Sequence, residues 1–311
     1  MKPYHLLLFV ALLGWGCDKT SETPALPAIP DTVVQSIAGK FNQLTDFTVT
    51  NLQTEGLYAA DFQAQNSHYR SIISENGTLL TLEQQIPVAA MPQNSERLLE
   101  HQFPNSTIAY LYAQLDPTSN ATIGYFTKTI YAGKGYLLSF DTLGARIGVE
   151  EEPDTVWWRY PVRNVDYLQQ NIRTEINAAQ PLGTFLSAAL LVDANQQVRW
   201  RVTTVHDSFL SHFEFDAASN LVQNKLEDLF GLDVPGVTAA DLLLQNALPI
   251  ECQNYLDVYF QGWEFQRGII RYETINGVSN ALGFVVKINV GQVVYYTHFD
   301  TDGIFTGATR G

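Results

Sequence analysis

Cysteine is nearly missing from this chain, with two in 311 residues. They stand at positions 17 and 252. With Cys17 assigned to lipid attachment, as argued below, no disulfide framework is left, and folding must rest on buried apolar surface. Positive charge is also scarce, at 18 Lys and Arg against 32 Asp and Glu, for a formal net charge of −14. A nucleic acid or an anionic headgroup needs a concentrated basic footprint, so both are excluded as electrostatic partners. No apolar run reaches the roughly 20 residues that span a bilayer. The sequence also lacks a Gly-x-Ser-x-Gly elbow, a His-Glu-x-x-His helix, a phosphate loop and a dinucleotide fingerprint. No cofactor or metal is expected, and the chain reads as a protein that is not an enzyme.

What is present begins at the first residues. Lys2 and the apolar residues 6–13 form an export signal over residues 1–16. Gly14-Trp15-Gly16-Cys17 resembles a lipoprotein cleavage box, in which a small residue precedes the Cys that becomes lipidated. Gly16 and Cys17 fit the pattern, whereas Gly14, where Leu is usual, and the bulky Trp15 depart from it. Cys17 is therefore the expected lipidation site. Acyl chains contributing about 0.8 kcal/mol per buried CH₂ would hold the protein on a membrane without a spanning segment. Residues 17–30, rich in Thr, Ser, Ala and Pro, suit a flexible tether. This combination predicts a cell-envelope protein, an outer-membrane lipoprotein facing the periplasm or the cell surface.

Beyond the tether one local pattern recurs four times: a short amphipathic helix, alternating strands, and a last strand running into an acidic or Asn turn. The turns are Ser74-Glu75-Asn76-Gly77, Phe140-Asp141-Thr142-Leu143-Gly144, Phe215-Asp216-Ala217-Ala218-Ser219-Asn220 and Phe299-Asp300-Thr301-Asp302-Gly303. Val33, Val34, Ile37 and Phe41 share a helical face behind a cap at Asp31-Thr32, and Val165, Leu168, Ile172 and Ile176 share another. Leu98, Leu99 and Phe103 mark the second helix, and Leu256, Tyr259 and Phe260 the fourth. Period-two alternation marks strands, with Val198, Trp200 and Val202 opposing Arg199, Arg201 and Thr203. The Phe before each closing Asp is expected in the core.

The predicted fold class is α+β: tandem repeats of a short helix followed by an antiparallel β-meander, with the helices packed on one face of the sheets. Residues 31–149 would form a first domain of two repeats and residues 164–311 a second. An acidic and aromatic linker would occupy residues 150–163, and residues 226–247 would be a helical insertion. Helix, alternating strands, Phe-Asp-x-x-Gly turn and Pro-initiated next helix, as at Met91-Pro92 and Leu248-Pro249, resemble the PepSY-like envelope proteins of the β-lactamase-inhibitor-like fold. That resemblance covers nearly the whole mature chain. It implies a binding or inhibitory module with no catalytic residues to carry over.

Candidate chemistry is sparse. His206-Asp207-Ser208 holds the residue types of a hydrolase triad, but strand neighbours point to opposite faces, so a strand-to-strand turn is the better account. Asp300-Thr301-Asp302-Gly303 lacks the later ligands of a calcium loop and reads as a hairpin turn. His212 and His298 lie near closing turns without metal-ligand spacing. Two features remain as a possible binding surface. Arg199 and Arg201 flank Trp200 on one face, suited to carboxylates unless neighbouring Asp or Glu pair with them across the sheet. Trp157-Trp158 follows the acidic run, where paired Trp residues cement an interface or line a cleft. The expected partner is an unknown protein or peptide, with membrane contact through the lipid. The alternative is a glycan-binding surface lipoprotein, which would present a row of exposed rings.

Overall fold

A ten-residue helix does not persist alone in water, so each helix here survives by laying an apolar stripe on a sheet. The computed structural model describes residues 29–52, 56–152, 157–162, 164–193, 197–242 and 244–311, with the side chains of 157 and 158 excepted. Its helices are α1 (Asp31–Lys40), α2 (Gln93–Gln102), α3 (Gln170–Ala179) and α4 (Ile250–Tyr259). Their stripes recur at four-residue steps and are buried throughout: Val33, Ile37 and Phe41; Ser95, Leu99 and Phe103; Leu168, Ile172 and Ile176; Cys252, Leu256 and Phe260. Pro30, Pro92 and Pro249 stand directly before α1, α2 and α4. The fixed φ of proline and its missing N–H suit a helix start. Asp31 and Thr32 consequently lie inside α1 and do not cap it; the Thr32 hydroxyl donates instead to the Glu75 carbonyl at 2.7 Å.

Strands β1 (Thr45–Asn51), β2 (Leu57–Ala64), β3 (Ser67–Ser74) and β4 (Leu82–Gln85) follow α1, and β5 (Thr107–Leu115), β6 (Thr122–Tyr131), β7 (Lys134–Phe140) and β8 (Arg146–Glu151) follow α2. Then come β9 (Trp157–Val162), α3, β10 (Thr184–Asp193), β11 (Val198–His206), β12 (Phe209–Phe215) and β13 (Leu221–Asp228). β14 (Val237–Leu242) precedes α4, which leads into β15 (Trp263–Ile275), β16 (Val278–Val290), β17 (Val293–Phe299) and β18 (Phe305–Arg310). A 13-stranded sheet takes the order β1 through β8, then β18, β17, β16, β15, β14, and a 5-stranded sheet takes β13 through β9. The ladders are antiparallel except at β8 and β18, which meet in parallel through the single pair Arg146 and Thr309. The fold is thus mostly antiparallel sheet with four short helices.

Away from their edge strands, both faces of these sheets are largely covered. On one lie the helices: Phe41 of α1 meets Phe62 and Tyr69 with ring centroids 5.0 and 4.9 Å apart, while Trp200, Phe213 and Phe215 pack under α3. On the other, the two sheets face each other. Leu52 and Ile72 of the large sheet join the α3 core, and Leu210, Leu229 and Phe230 pack on Ile269, Val285 and Tyr296.

Each closing turn repeats one backbone bond, from Gly77 to Ser74, Gly144 to Asp141, Ser219 to Asp216 and Gly303 to Asp300. The acidic side chain serves the turn itself: Asp141 Oδ1 accepts from the amides of Leu143 and Ala145, and Asp300 Oδ1 from those of Asp302 and Ile304. The turn seats on the start of its own unit's helix. Asn94 donates to the Leu143 carbonyl at 2.7 Å, and a Cβ at Gly144, where φ is +82°, would stand 2.9 Å from Pro92 Cβ and the Ser95 nitrogen. Only glycine meets both demands. The preceding Phe140, Phe215 and Phe299 are buried, as the strand alternation predicts.

Three expectations are corrected. Val165 is exposed in a 3₁₀ turn (Val165–Tyr167), and α3 starts only at Gln170. Residues 226–247 are not a helical insertion; they carry the end of β13, all of β14 and a 3₁₀ turn (Gln245–Ala247). Both strands are sheet edges with little buried surface, so no strand alternation betrays them, and Leu226 and Leu244 are exposed. Residues 150–163 are not simply a linker, since β8 ends and β9 runs within them, and the large sheet draws strands from both sides of that stretch.

Candidate functional site

The meeting of the two sheets creates a polar seam. Arg70 on β3 pairs with Glu83 on β4, donates to the Arg159 carbonyl at 2.9 Å, and lies over the Tyr112 ring at 4.3 Å. Phe126 sits between Arg70 and Arg159, each guanidinium 5.3 Å from its centroid. Arg159 also donates to Ser139, and its Nε lies 3.5 Å from Glu150. Glu150 in turn meets Arg201 at 2.9 Å, Arg201 meets Glu214 at 3.2 Å, and Glu214 meets Arg199 at 2.8 Å. Farther along, Arg146 pairs with Glu227, which lies 3.4 Å from His212. Alternating signs keep each buried charge beside an opposite one, the condition under which charges leave water at tolerable cost.

Electrostatics follow from that order. Burial is the strongest single influence on the Arg70 charge and opposes it, but Glu83 together with Tyr112, Tyr160 and Tyr110 outweighs it and holds the guanidinium above its ordinary pKa. Burial lowers that of Arg159, with Glu150 opposing. Glu227 is held down to about 2, because Arg146 and His212 overcome its desolvation. His298, on β17, is pushed down to about 3 by burial and by Arg271 and Arg146. The unfolded chain protonates this imidazole near its ordinary value of 6.5, while the folded chain stays neutral down to about 3. Protons therefore favour the unfolded state across that window, and stability falls as pH drops through it. We expect the urea midpoint of the His298→Asn variant to fall less between pH 6.5 and 4.5 than that of the parent; parallel curves would remove His298 as the source.

The residues singled out in the sequence fare differently. Arg199 and Arg201 do share a face, but it turns inward toward β8, and Arg201 bridges Glu150 and Glu214. Arg199 keeps 49% of its side chain exposed while paired with Glu214. Trp157 and Trp158 start β9, and their side chains lie outside the described residues, as does Cys17. His206 ends β11 opposite Phe209, and Asp207 and Ser208 form the turn to β12, with Asp207 at φ 55°. No group of three or more metal-ligating side chains occurs among the described residues. Cys252 is a buried thiol in the α4 stripe, pushed up to about 12 chiefly by burial. The described aromatic rings are buried or half-buried except Phe209, so they form no platform for sugars.

A cleft the sequence did not mark opens where both sheets end. It encloses about 600 Å³ between the ends of β4 and β5, the β9–α3 connection, the start of β10 and the end of β18. Leu82, Leu115, Tyr167 and Phe185 supply apolar wall, and Asn164 and Arg310 bring polar groups. Its volume falls within the range of ligand pockets, and polar groups share its walls with apolar ones. The contributing residues come from five distant segments, so no local motif signals the site.

No protein-family model matches the chain, and no curated protein matches it. Among solved structures it is similar to a BLIP-like protein from Bacteroides fragilis, at 19% identity and a TM-score of 0.35, over 44% of this chain and 97% of that one. It is also similar to a DUF2874 family protein from Bacteroides uniformis, at 11% identity and a TM-score of 0.22, over 43% of this chain and 88% of that one. No helix among the described residues is long and apolar enough to cross a membrane.

Proposed function

We propose that this chain is a non-catalytic, lipid-anchored protein of the cell envelope, on the outer membrane, that binds a protein or peptide segment in the cleft between its sheets. Its scaffold is four copies of one helix-plus-meander unit. The observation that carries the reading is the cleft itself, whose mixed walls are contributed by both sheets. The four stripes and the four closing-turn bonds support the repeat. The export signal and Cys17 support the anchor. The other polar clusters are engaged within the fold: the seam carboxylates hold arginines, and the Asp300 carboxylate holds its own turn.

One experiment tests both parts. A photo-crosslinking residue at Phe185, in the full chain expressed in its envelope and labelled with palmitate, should give a labelled adduct with a second polypeptide. The same residue at exposed Val258 of α4 should not. Label persisting in the Cys17→Ala variant would remove the anchor, and equal or absent adducts at the two positions would remove the cleft.

A further inference from the structure

Arginines in this acidic protein are almost all neutralised. Among those described, Arg70, Arg97, Arg146, Arg159, Arg173, Arg199, Arg201 and Arg267 each have a carboxylate within 4.0 Å. Arg271 and Arg310 do not, and of the two it is Arg310 that lines the cleft. Its Nε is buried and has no hydrogen-bond partner. Charge on Arg310 reaches Asp141 and Tyr295, but no ion pair forms among the described residues. A guanidinium carries five donors in a planar fork that matches a carboxylate in bidentate fashion. Leaving one half-desolvated without a partner is unfavourable, and a ligand carboxylate would relieve it.

The acid that lines the cleft, Asp116, does not fill that role. Asp116 turns its Oδ1 to the amides of Thr118 and Ser119 and to the Ser119 hydroxyl, which hold its carboxyl below the usual range. Leu82, Leu115 and Phe185 line the same space with apolar surface. Cation and apolar wall together define what fits: an anionic head on a hydrophobic body.

Resting on the peptide-binding reading above, we propose that Arg310 is the anchor of a carboxylate-recognition site in this cleft, taking a short peptide whose carboxylate lies beside an apolar side chain. The carboxylate can be the peptide's terminus or an Asp or Glu side chain, and Arg310 forms the paired hydrogen bonds to it. The apolar side chain rests against Leu82, Leu115 and Phe185.

The test uses the full chain in detergent and four mixtures of apolar-rich tetrapeptides: with a free or an amidated terminus, and with an internal Glu or Gln. Retention is read by mass spectrometry after equilibrium dialysis. The parent should retain one carboxylate mixture at least about tenfold over its neutral match, and which pair responds identifies the source of the carboxylate. Arg310→Gln should abolish that preference while still retaining the apolar peptides weakly. Arg310→Lys, which keeps the charge and loses the fork, should reduce the preference several-fold and serves if the Gln variant does not fold. Equal retention of acidic and neutral mixtures by the parent, or a preference that survives in either variant unchanged, overturns the proposal while leaving peptide binding standing. No retention of any mixture, with no Phe185 adduct, overturns both.

Discussion

Truncating Glu83 to alanine is expected to lower stability by about 3–5 kcal/mol, because it strands the Arg70 guanidinium in a low-dielectric seam. Glu83 is fully buried and Arg70 is 4% exposed, so water cannot replace the lost carboxylate. The rings of Tyr112, Phe126 and Tyr160 around Arg70 attract a cation, but each such contact is worth only about 0.5–2 kcal/mol. The sharper expectation concerns the pair. Arg70→Met combined with Glu83→Leu should be more stable than Glu83→Ala alone, since two apolar side chains of similar size leave no charge to solvate. Equilibrium unfolding in urea at constant m measures both. A Glu83→Ala loss below about 1 kcal/mol would mean that the seam is wetter than the structure places it.

Phe299→Ala is the second large effect, at about 3–5 kcal/mol. The side chain is 1% exposed, its ring 5.7 Å from Phe305 and 6.1 Å from Tyr255. Removing it opens a cavity under α4 at the point where the closing turn leaves the sheet. Phe209, 42% exposed beside the β11–β12 turn, is the matched control and should lose less than about 1 kcal/mol as alanine. Similar losses at both positions would break the assignment of Phe299 to the core.

Much of this fold was legible because one physical demand wrote it. A helix that buries a single stripe repeats its apolar residues every four positions, and Leu168, Ile172 and Ile176 show it plainly. Strand β11 alternates Val198, Trp200 and Val202 with polar residues because α3 covers only one of its faces. What could not be read was the second burial. Arg201 looks solvated in a strand considered alone, and only the arrival of β8 with Glu150 draws it inward, while Arg199 stays half-exposed beside Glu214. Edge strands hide for the opposite reason: β13 exposes Leu221, Val222 and Leu226 without alternation, so from Leu226 onward the leucines suggested a helix's apolar side. The cleft was least legible of all. Arg310 is one residue at a strand end, and its significance comes from carboxylates that are not beside it.

The seating of each closing turn on its own helix also orders assembly in time. Those contacts join residues 43, 49, 50 and 51 positions apart in the four units, whereas the Arg146–Thr309 contact between the arms of the large sheet spans 163. Each doubling of loop length adds about 0.6 kcal/mol of closure entropy, so the long contact is roughly 1 kcal/mol harder to initiate and gains little until the units exist to support it. Units are therefore expected to close first and the seam to zip last. In kinetic terms the Phe299→Ala loss should slow refolding, while the Glu83→Ala loss should speed unfolding. The charged seam then acts as the latch that sets how long the assembled protein lasts, and the turns set how quickly it is made.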